Sequence, residues 1–130
     1  MLALPTYDYA IIRVVPRVER GEFLNAGVIL YSRVARFLAC AIELDEPRLA
    51  AIAPSLDQAE VRRHLELIAV VCRGGAGSGP IGAFSQAERF HWLVAPRSTV
   101  IQTSPLHCGI SDDPESTLQT LLMRLVRVVS

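Results

Sequence analysis

The sequence predicts an α+β domain, in which a mainly antiparallel sheet of four to five strands packs against two principal helices as a two-layer sandwich. Runs of β-branched and aromatic residues fill the first third of the chain, and two long amphipathic patterns follow. Only residues 32–35 separate the second run from the third, which favours a hairpin. At 130 residues, we expect one domain spanning residues 1–130, with a core that needs no disulfides.

The strands begin with residues 7–15, which Pro16 ends. Residues 25–31 and 36–44 form the second and third expected strands. The loop between the first two strands is dense in charge of alternating sign, which favours ion pairs within the loop. We expect Gly21 to take a positive φ in it.

Capping residues place three helices. Asp45 starts a short helix that ends before Pro54. A longer helix covers residues 57–73, and Asp113 followed by Pro114 starts the last one. Both longer helices carry an apolar stripe at helical spacing, as buried helices do. The stripes are Val61, Leu65, Ile68, Ala69 and Cys72 in one helix and Leu118, Leu121, Leu122, Leu125 and Val126 in the other.

Residues 90–95 and 98–102 are predicted as two further strands. In a strand, alternate side chains face opposite sides of the sheet. We therefore expect Phe90, Trp92 and Val94 to face the core, and the residues between them to face the other side.

Composition indicates a folded protein, with 51% hydrophobic and 20% charged residues. The three cysteines, Cys40, Cys72 and Cys108, form no C-x-x-C pair, and the first two lie in apolar runs typical of a core. No secretory signal or membrane-spanning run is visible, so we expect a cytoplasmic location. We expect neither a metal nor a cofactor.

Charge restricts the ligands that the chain can attract. Thirteen basic residues, every one an arginine, balance thirteen acidic residues. A neutral chain has no overall field that would attract nucleic acid, so anion binding requires a local patch. The planar guanidinium of arginine suits phosphate and carboxylate groups.

Familiar phosphate and metal motifs are absent from the sequence. The glycine-rich residues 74–82 follow a helix, contain Pro80 and include no lysine, which excludes Rossmann and Walker A loops and favours a flexible connector. The three histidines, His64, His91 and His107, show no H-x-H or H-x-x-x-H spacing, which disfavours a metal site.

Polar side chains concentrate in residues 88–109, which contain the only tryptophan and two of the three histidines. The candidate ligand-binding residues are Arg89, His91, Arg97, Ser98, Gln102 and His107, joined by Arg17 and Glu22 from the charged loop. Arg97 and Ser98 offer donors to an anion. The structural alternative is that these groups satisfy backbone ends at a connection between strands.

Two blocks of sequence resemble a known family. The first contains Tyr7-Asp8-Tyr9, Arg13-Val14-Val15-Pro16, Glu19, Gly21-Glu22-Phe23, Asn25 and Gly27-Val28. The second is E-R-F-H-W-L-V-A-P-R-S at residues 88–98, with Ser104, Pro105, His107 and Gly109. Together they resemble the bacterial domain-of-unknown-function family 3037 over nearly the whole chain. The resemblance implies a small intracellular bacterial protein without assigned catalytic residues, and a protein partner such as a HipA-like kinase.

Three functions stay open at this point. The first is a non-catalytic binding or accessory module, with a polar Arg/His face for an anionic ligand or a partner protein. The second is a small hydrolase or transferase acting on a phosphoester or amide, in which His91 and His107 converge on an acid or serine such as Ser98 or Ser104. The third is a nucleic-acid-binding domain, which the zero net charge disfavours. Oligomerisation is left open.

Overall fold

Five strands and five helices make up the part of the chain that the computed structural model describes, residues 5–97 and 99–127. The strands are β1 Thr6–Val14, β2 Leu24–Ser32, β3 Phe37–Ile42, β4 Ile101–Thr103 and β5 His107–Ile110. The helices are α1 Glu46–Ile52, α2 Gln58–Arg73, α3 Gly79–Gly82, α4 Gln86–Leu93 and α5 Pro114–Leu125, with a 3₁₀ turn at Val18–Arg20. The α+β class is confirmed. No helix in the described ranges is both long and apolar enough to cross a bilayer.

The five strands form one antiparallel sheet with β1 at its centre. β2 pairs with one side of β1 and with β3, whereas β4 and β5 both pair with the other side of β1. Ser104 bridges the break between these two short strands: its backbone N–H donates to the Ile11 carbonyl (2.9 Å) and its Oγ accepts from the Ile11 N–H (2.8 Å). β4 and β5 therefore act as one interrupted strand at the edge of the sheet.

Helices cover both faces of the sheet. Ile12 and Val14 pack with residues of α1, α2 and α4, whereas Val28 and Leu30 pack with the apolar side of α5. β2 is buried at nearly every position, as is typical of a strand covered on both faces. The structure thus has three layers, and the predicted two-layer arrangement is wrong because β2 presents apolar side chains on both sides.

A register shift in the β1–β2 pair sets the local geometry near the first loop. The shift lies between Ile12 and Arg13, and it turns Asn25 towards α5. The Asn25 Nδ2 donates to the carbonyl of Leu125 (3.0 Å), which satisfies an orphan carbonyl at the end of that helix. Beside the shift, a Cβ on Gly27 would lie 2.7 Å from the Ala41 carbonyl oxygen, so only glycine lets these two strands approach this closely.

Most of the predicted helix ends are confirmed. The side chains of Asp45, Asp57 and Asp113 each accept a backbone N–H at a helix start. Gly74 closes α2 with φ +66°. Gly21 also has the positive φ that was expected of it, at the end of the 3₁₀ turn.

Residues 90–95 are not a strand, because α4 occupies Gln86–Leu93. Ser85 starts this helix with a capping box: its Oγ accepts from the Glu88 N–H, and the Glu88 carboxylate accepts from the Ser85 N–H. As a result Phe90 and Leu93 are buried together, whereas Trp92 is 41% exposed. The predicted alternation of Phe90, Trp92 and Val94 towards the core is therefore wrong.

Candidate functional site

Arg89, the first of the predicted ligand-binding residues, is part of the interior. Its Nη1 donates to the carbonyls of Val71 (2.9 Å) and Cys72 (2.7 Å) in the last turn of α2, and its Nε donates to the carbonyl of Phe84 (3.1 Å). The residue is 8% exposed. The guanidinium of a residue on α4 therefore satisfies carbonyl groups at the end of α2, as the structural alternative predicts.

Arg97 plays a similar part at the end of α4, but closer to the surface. Its guanidinium donates to the carbonyls of Trp92 (2.5 Å) and Leu93 (3.3 Å) and lies 4.4 Å from the centroid of the Trp92 ring. Because a guanidinium has five N–H donors, Arg97 keeps donors for a further group. Ser98, which was grouped with it, lies outside the described residues.

The two histidines of the candidate set are on different faces of the sheet. His91 is exposed on α4, which packs on the same face as α2. His107 stacks on Tyr9, with ring centroids 5.1 Å apart, and Tyr9 packs on the α5 face. The convergence of His91 and His107 that a hydrolase would require is absent from the described part of the chain.

Ser104 was considered as a nucleophile, and its hydroxyl is already engaged. Besides accepting from the Ile11 N–H, the Oγ donates to the Pro105 carbonyl (2.9 Å). The residue is 4% exposed. Its role in the structure is to join β4 and β5 to β1.

Arg97 and Gln102 do share a hollow, which we call the tryptophan cleft. It measures about 340 Å³ and is bounded by Val94, Pro96, Arg97, Gln102, Thr103, Ser104, Pro105 and Leu106, with Trp92 beneath the guanidinium of Arg97. The Gln102 Nε2 donates to the Thr99 carbonyl (3.0 Å). Two of the eight predicted site residues thus come together here.

A larger hollow, the loop cleft, contains two others. It measures about 580 Å³ and lies between the charged loop and the α1–α2 turn. Pro16, Arg17, Arg20 and Glu22 line one wall, and residues 51–56 line the other. Its volume falls in the range of small-molecule sites, which is roughly 300–1,000 Å³.

The charged side chains that line the loop cleft are paired with residues of the same loop at the surface. Arg17 contacts Glu19 (2.9 Å), and Arg20 contacts Glu22. The Arg20 guanidinium holds the pKa of Glu22 below its ordinary value, and Glu22 in turn raises the pKa of Arg20. The ion pairing expected within this loop is confirmed. All four side chains are more than half exposed, so these pairs are weak and can exchange for a ligand.

Sequence reasoning placed Arg20 in the charged loop without selecting it as a binding residue, and it missed the entire far wall of this cleft. The far wall lies between the end of α1 and the start of α2 and carries no sequence motif. It consists of Ala51, Ile52, Ala53, Pro54, Ser55 and Leu56. Arg20 alone had a sequence signal, since it lies in the same charged loop as Arg17. No three His, Cys, Asp or Glu side chains in residues 5–97 and 99–127 are placed to hold a metal ion.

The structure is of the α+β class, the loop cleft and the tryptophan cleft lie on its surface, and His91 and His107 are separated within the described ranges. The chain belongs to the family described as "Protein of unknown function (DUF3037)", whose model matches residues 9–126. The resemblance predicted from the two sequence blocks is thereby confirmed. Neither the curated proteins nor the solved structures gave a match.

Proposed function

We propose that this protein is a non-catalytic binding module and that the loop cleft takes a small anionic ligand with an apolar part. The observation that supports it is the position of Arg17 and Arg20. Both line the larger cleft, and each guanidinium is held by a single exposed carboxylate. A phosphate or carboxylate can replace such a partner at little cost, because exposed ion pairs contribute about 0–1 kcal/mol.

The opposite wall indicates the rest of the ligand. This wall is mainly apolar, with one hydroxyl from Ser55. Its apolar residues are Ile52, Ala53, Pro54 and Leu56. Ile52 is 47% exposed, which leaves apolar surface for a ligand to cover. An aryl or alkyl phosphate fits this pairing of guanidiniums with an apolar wall.

The first prediction tests this cleft by thermal shift with phenyl phosphate. In the unaltered protein, phenyl phosphate at about ten times its Kd should add roughly 1.4 kcal/mol of stability and raise Tm by several degrees. Arg17→Gln/Arg20→Gln should remove the shift, since each charge-assisted hydrogen bond contributes about 1.5–3 kcal/mol.

The matched control is Arg62→Gln/Arg63→Gln. These two arginines are also exposed and paired, with Glu46 and Glu60, but lie on α2 away from the cleft. The control should keep the full shift. An equal shift in both double variants, or none in the unaltered protein, would reject the loop cleft as an anion site.

A partner protein is the second candidate, and the tryptophan cleft favours it. Trp92 and Leu106 are 41% and 47% exposed, and Arg97 lies over the Trp92 ring. Tryptophan and arginine are enriched among residues that dominate protein–protein binding. The HipA-like kinase implied by the family resemblance is the partner to test first.

The second prediction concerns that partner. Trp92→Ala should weaken binding of such a kinase at least tenfold in calorimetric titration, because a central aromatic contact contributes about 2 kcal/mol or more. Met123→Ala, which changes an exposed apolar side chain on α5, should leave the affinity unchanged. Equal affinities for both variants would remove the tryptophan cleft as the docking surface.

Catalysis and nucleic-acid binding have less support. His91 and His107 lie on opposite faces of the sheet, and the Ser104 hydroxyl is engaged by backbone groups. Both arginines of the loop cleft are paired with carboxylates, so the cleft lacks the continuous positive stripe that binds a nucleic-acid backbone.

A further inference from the structure

Arg13 lies on the central strand of the sheet with an unmatched charge. It stands between Ile12 and Val14, which are fully buried on the α2 face, so its side chain projects from the α5 face. No carboxylate in residues 5–97 or 99–127 forms an ion pair with it. Within the same ranges its Nε is buried and donates to no acceptor. Buried donors are nearly always hydrogen-bonded in folded proteins, so this one indicates that a further group binds there.

The neighbouring strand β2 places an unused acceptor beside that donor. Asn25 is the register partner of Arg13, and side chains directly opposite each other in a sheet share a face. The Asn25 Nδ2 donates to the Leu125 carbonyl, which can only accept, so the orientation of the amide is fixed. The Asn25 Oδ1 is buried and has no donor in the described part of the chain. A donor and an acceptor thus occupy neighbouring positions, each without a partner there.

The other neighbour of Arg13 is neutral and already engaged. Gln102 on β4 is also a register partner of Arg13, and its Nε2 donates to the Thr99 carbonyl. The guanidinium is therefore flanked by two uncharged amides, from Asn25 and Gln102.

The Phe23 ring covers the guanidinium on its outer side. The ring centroid lies 4.1 Å from the Arg13 Cζ, and Phe23 is 46% exposed. Exposed side chains change rotamer within nanoseconds. A ligand can therefore reach the Nε edge of the guanidinium when the ring turns, and the ring then offers an apolar surface to an aromatic part of the ligand.

We propose that Arg13 and Asn25 bind a carboxylate with a neutral hydrogen-bond donor on the adjacent carbon, as in a 2-hydroxy acid or an N-acyl amino acid. The carboxylate accepts from the Nε and one Nη of Arg13, in the paired geometry that guanidinium groups favour. The hydroxyl or amide N–H of the ligand donates to the Asn25 Oδ1. One positive charge between neutral amides matches a single negative charge, and a free α-ammonium is disfavoured because it would lie close to the guanidinium.

This carboxylate site is separate from the loop cleft. Arg13, Phe23 and Asn25 are not among the residues that line that cleft, and its far wall is the α1–α2 turn. Arg13 and Asn25 lie on the α5 face of the sheet instead. The carboxylate site can therefore be tested whether or not the loop cleft binds an anion.

The third prediction is the outcome of titrating 3-phenyllactate into the unaltered protein and into Arg17→Gln/Arg20→Gln, in which the loop cleft has lost its guanidiniums. In both proteins the NMR signal of the Arg13 Nε–H, identified by its absence in Arg13→Lys, should move downfield as the donor gains a charged acceptor. By calorimetry, 3-phenylpropionate, which lacks the hydroxyl, should bind about threefold to tenfold more weakly, the effect of one neutral hydrogen bond.

N-acetylphenylalanine distinguishes the two sources of this chemistry. It presents the carboxylate and N–H of the last residue of a peptide, whereas 3-phenyllactate represents a small hydroxy acid. Whichever of the two binds more tightly identifies the source.

Two arginine variants test the assignment of the cation. Arg13→Met, checked for its fold by circular dichroism, should weaken binding of 3-phenyllactate at least tenfold, because it removes charge-assisted hydrogen bonds. Arg124→Met changes an exposed arginine on α5 and should leave the affinity unchanged.

The NMR titration and the comparison of acids use protein with Arg13 intact, so they decide the matter even if Arg13→Met does not fold. The proposal is overturned if the Arg13 Nε–H signal stays in place with both 3-phenyllactate and N-acetylphenylalanine. It is also overturned if 3-phenyllactate and 3-phenylpropionate bind equally, or if Arg124→Met weakens binding as much as Arg13→Met.

Discussion

Arg89→Leu is expected to lower the free energy of unfolding by about 3–4 kcal/mol, an estimate from the polar groups left behind. The guanidinium donates to the buried carbonyls of Val71 and Cys72 and to the partly buried carbonyl of Phe84, and the substitution leaves all three without this donor. It also removes a positive charge from the C-terminal end of α2, where the helix dipole favours one. No carboxylate in residues 5–97 or 99–127 pairs with Arg89, so the native protein bears the free-energy cost of burying this charge. Leucine removes that cost, which offsets part of the loss in stability.

Urea unfolding of three variants isolates the cause. Arg89→Lys keeps the charge but cannot reach carbonyls on two segments with one ammonium, so it should recover less than half of the loss. Arg97→Leu is the matched control: it also removes an arginine from a helix end, but that arginine is half-exposed and should cost about 1 kcal/mol or less. If Arg89→Leu and Arg97→Leu lower the free energy of unfolding by similar amounts, then burial of the Arg89 hydrogen bonds does not explain the effect of Arg89→Leu.

The first half of the fold could be predicted because its signals are local. Each element there is determined by residues a few positions apart. Runs of β-branched residues form the strands, prolines such as Pro16 and Pro54 end elements, and aspartates cap α1 and α2. Gly21 and Gly74 took the backbone conformations that their turn positions require. Sequence reasoning works at such positions because the interactions that decide them span only a few residues.

The segment between α2 and α5 could not be predicted in the same way, because two local signals competed there. Phe90, Trp92 and the β-branched Val94 favour a strand, whereas Ser85 and Glu88 form the capping box of a helix. Burial of Phe90 and Leu93 against α2 decided between them. β5 escaped prediction because His107–Ile110 is short, contains a glycine and shows no clean alternation.

The candidate site was partly predicted, for a reason that concerns arginine. Sequence reasoning treats a clustered guanidinium as free to meet a ligand, yet Arg89 and Arg97 each donate to carbonyls at a helix end. Arg89 caps α2 because α4 packs beside it, which is a tertiary fact. Arg97 caps its own helix, and this local contact was missed because residues 90–95 were predicted as a strand. Arg17 and Glu22 lie at the larger cleft because their loop meets the α1–α2 turn, a contact that no sequence motif announces.

Phe90→Ala is expected to lower the free energy of unfolding by about 3–5 kcal/mol, the usual cost of emptying a buried aromatic position. Phe90 is 1% exposed, and its ring lies 5.2 Å from that of Tyr31, so the variant loses both burial and an aromatic pair. Trp92→Ala should cost about 1 kcal/mol or less, because Trp92 is 41% exposed and its main partner is the guanidinium of Arg97.

The ratio of these two losses distinguishes the helix from the strand that the sequence favoured. In a strand, Phe90 and Trp92 would face the same side and both substitutions would be severe. On α4 they are about 200° apart around the helix axis, so only one of them reaches the core. Urea unfolding of both variants measures the ratio directly, and a loss for Trp92→Ala as large as that for Phe90→Ala would mean that α4 does not present this face to α2.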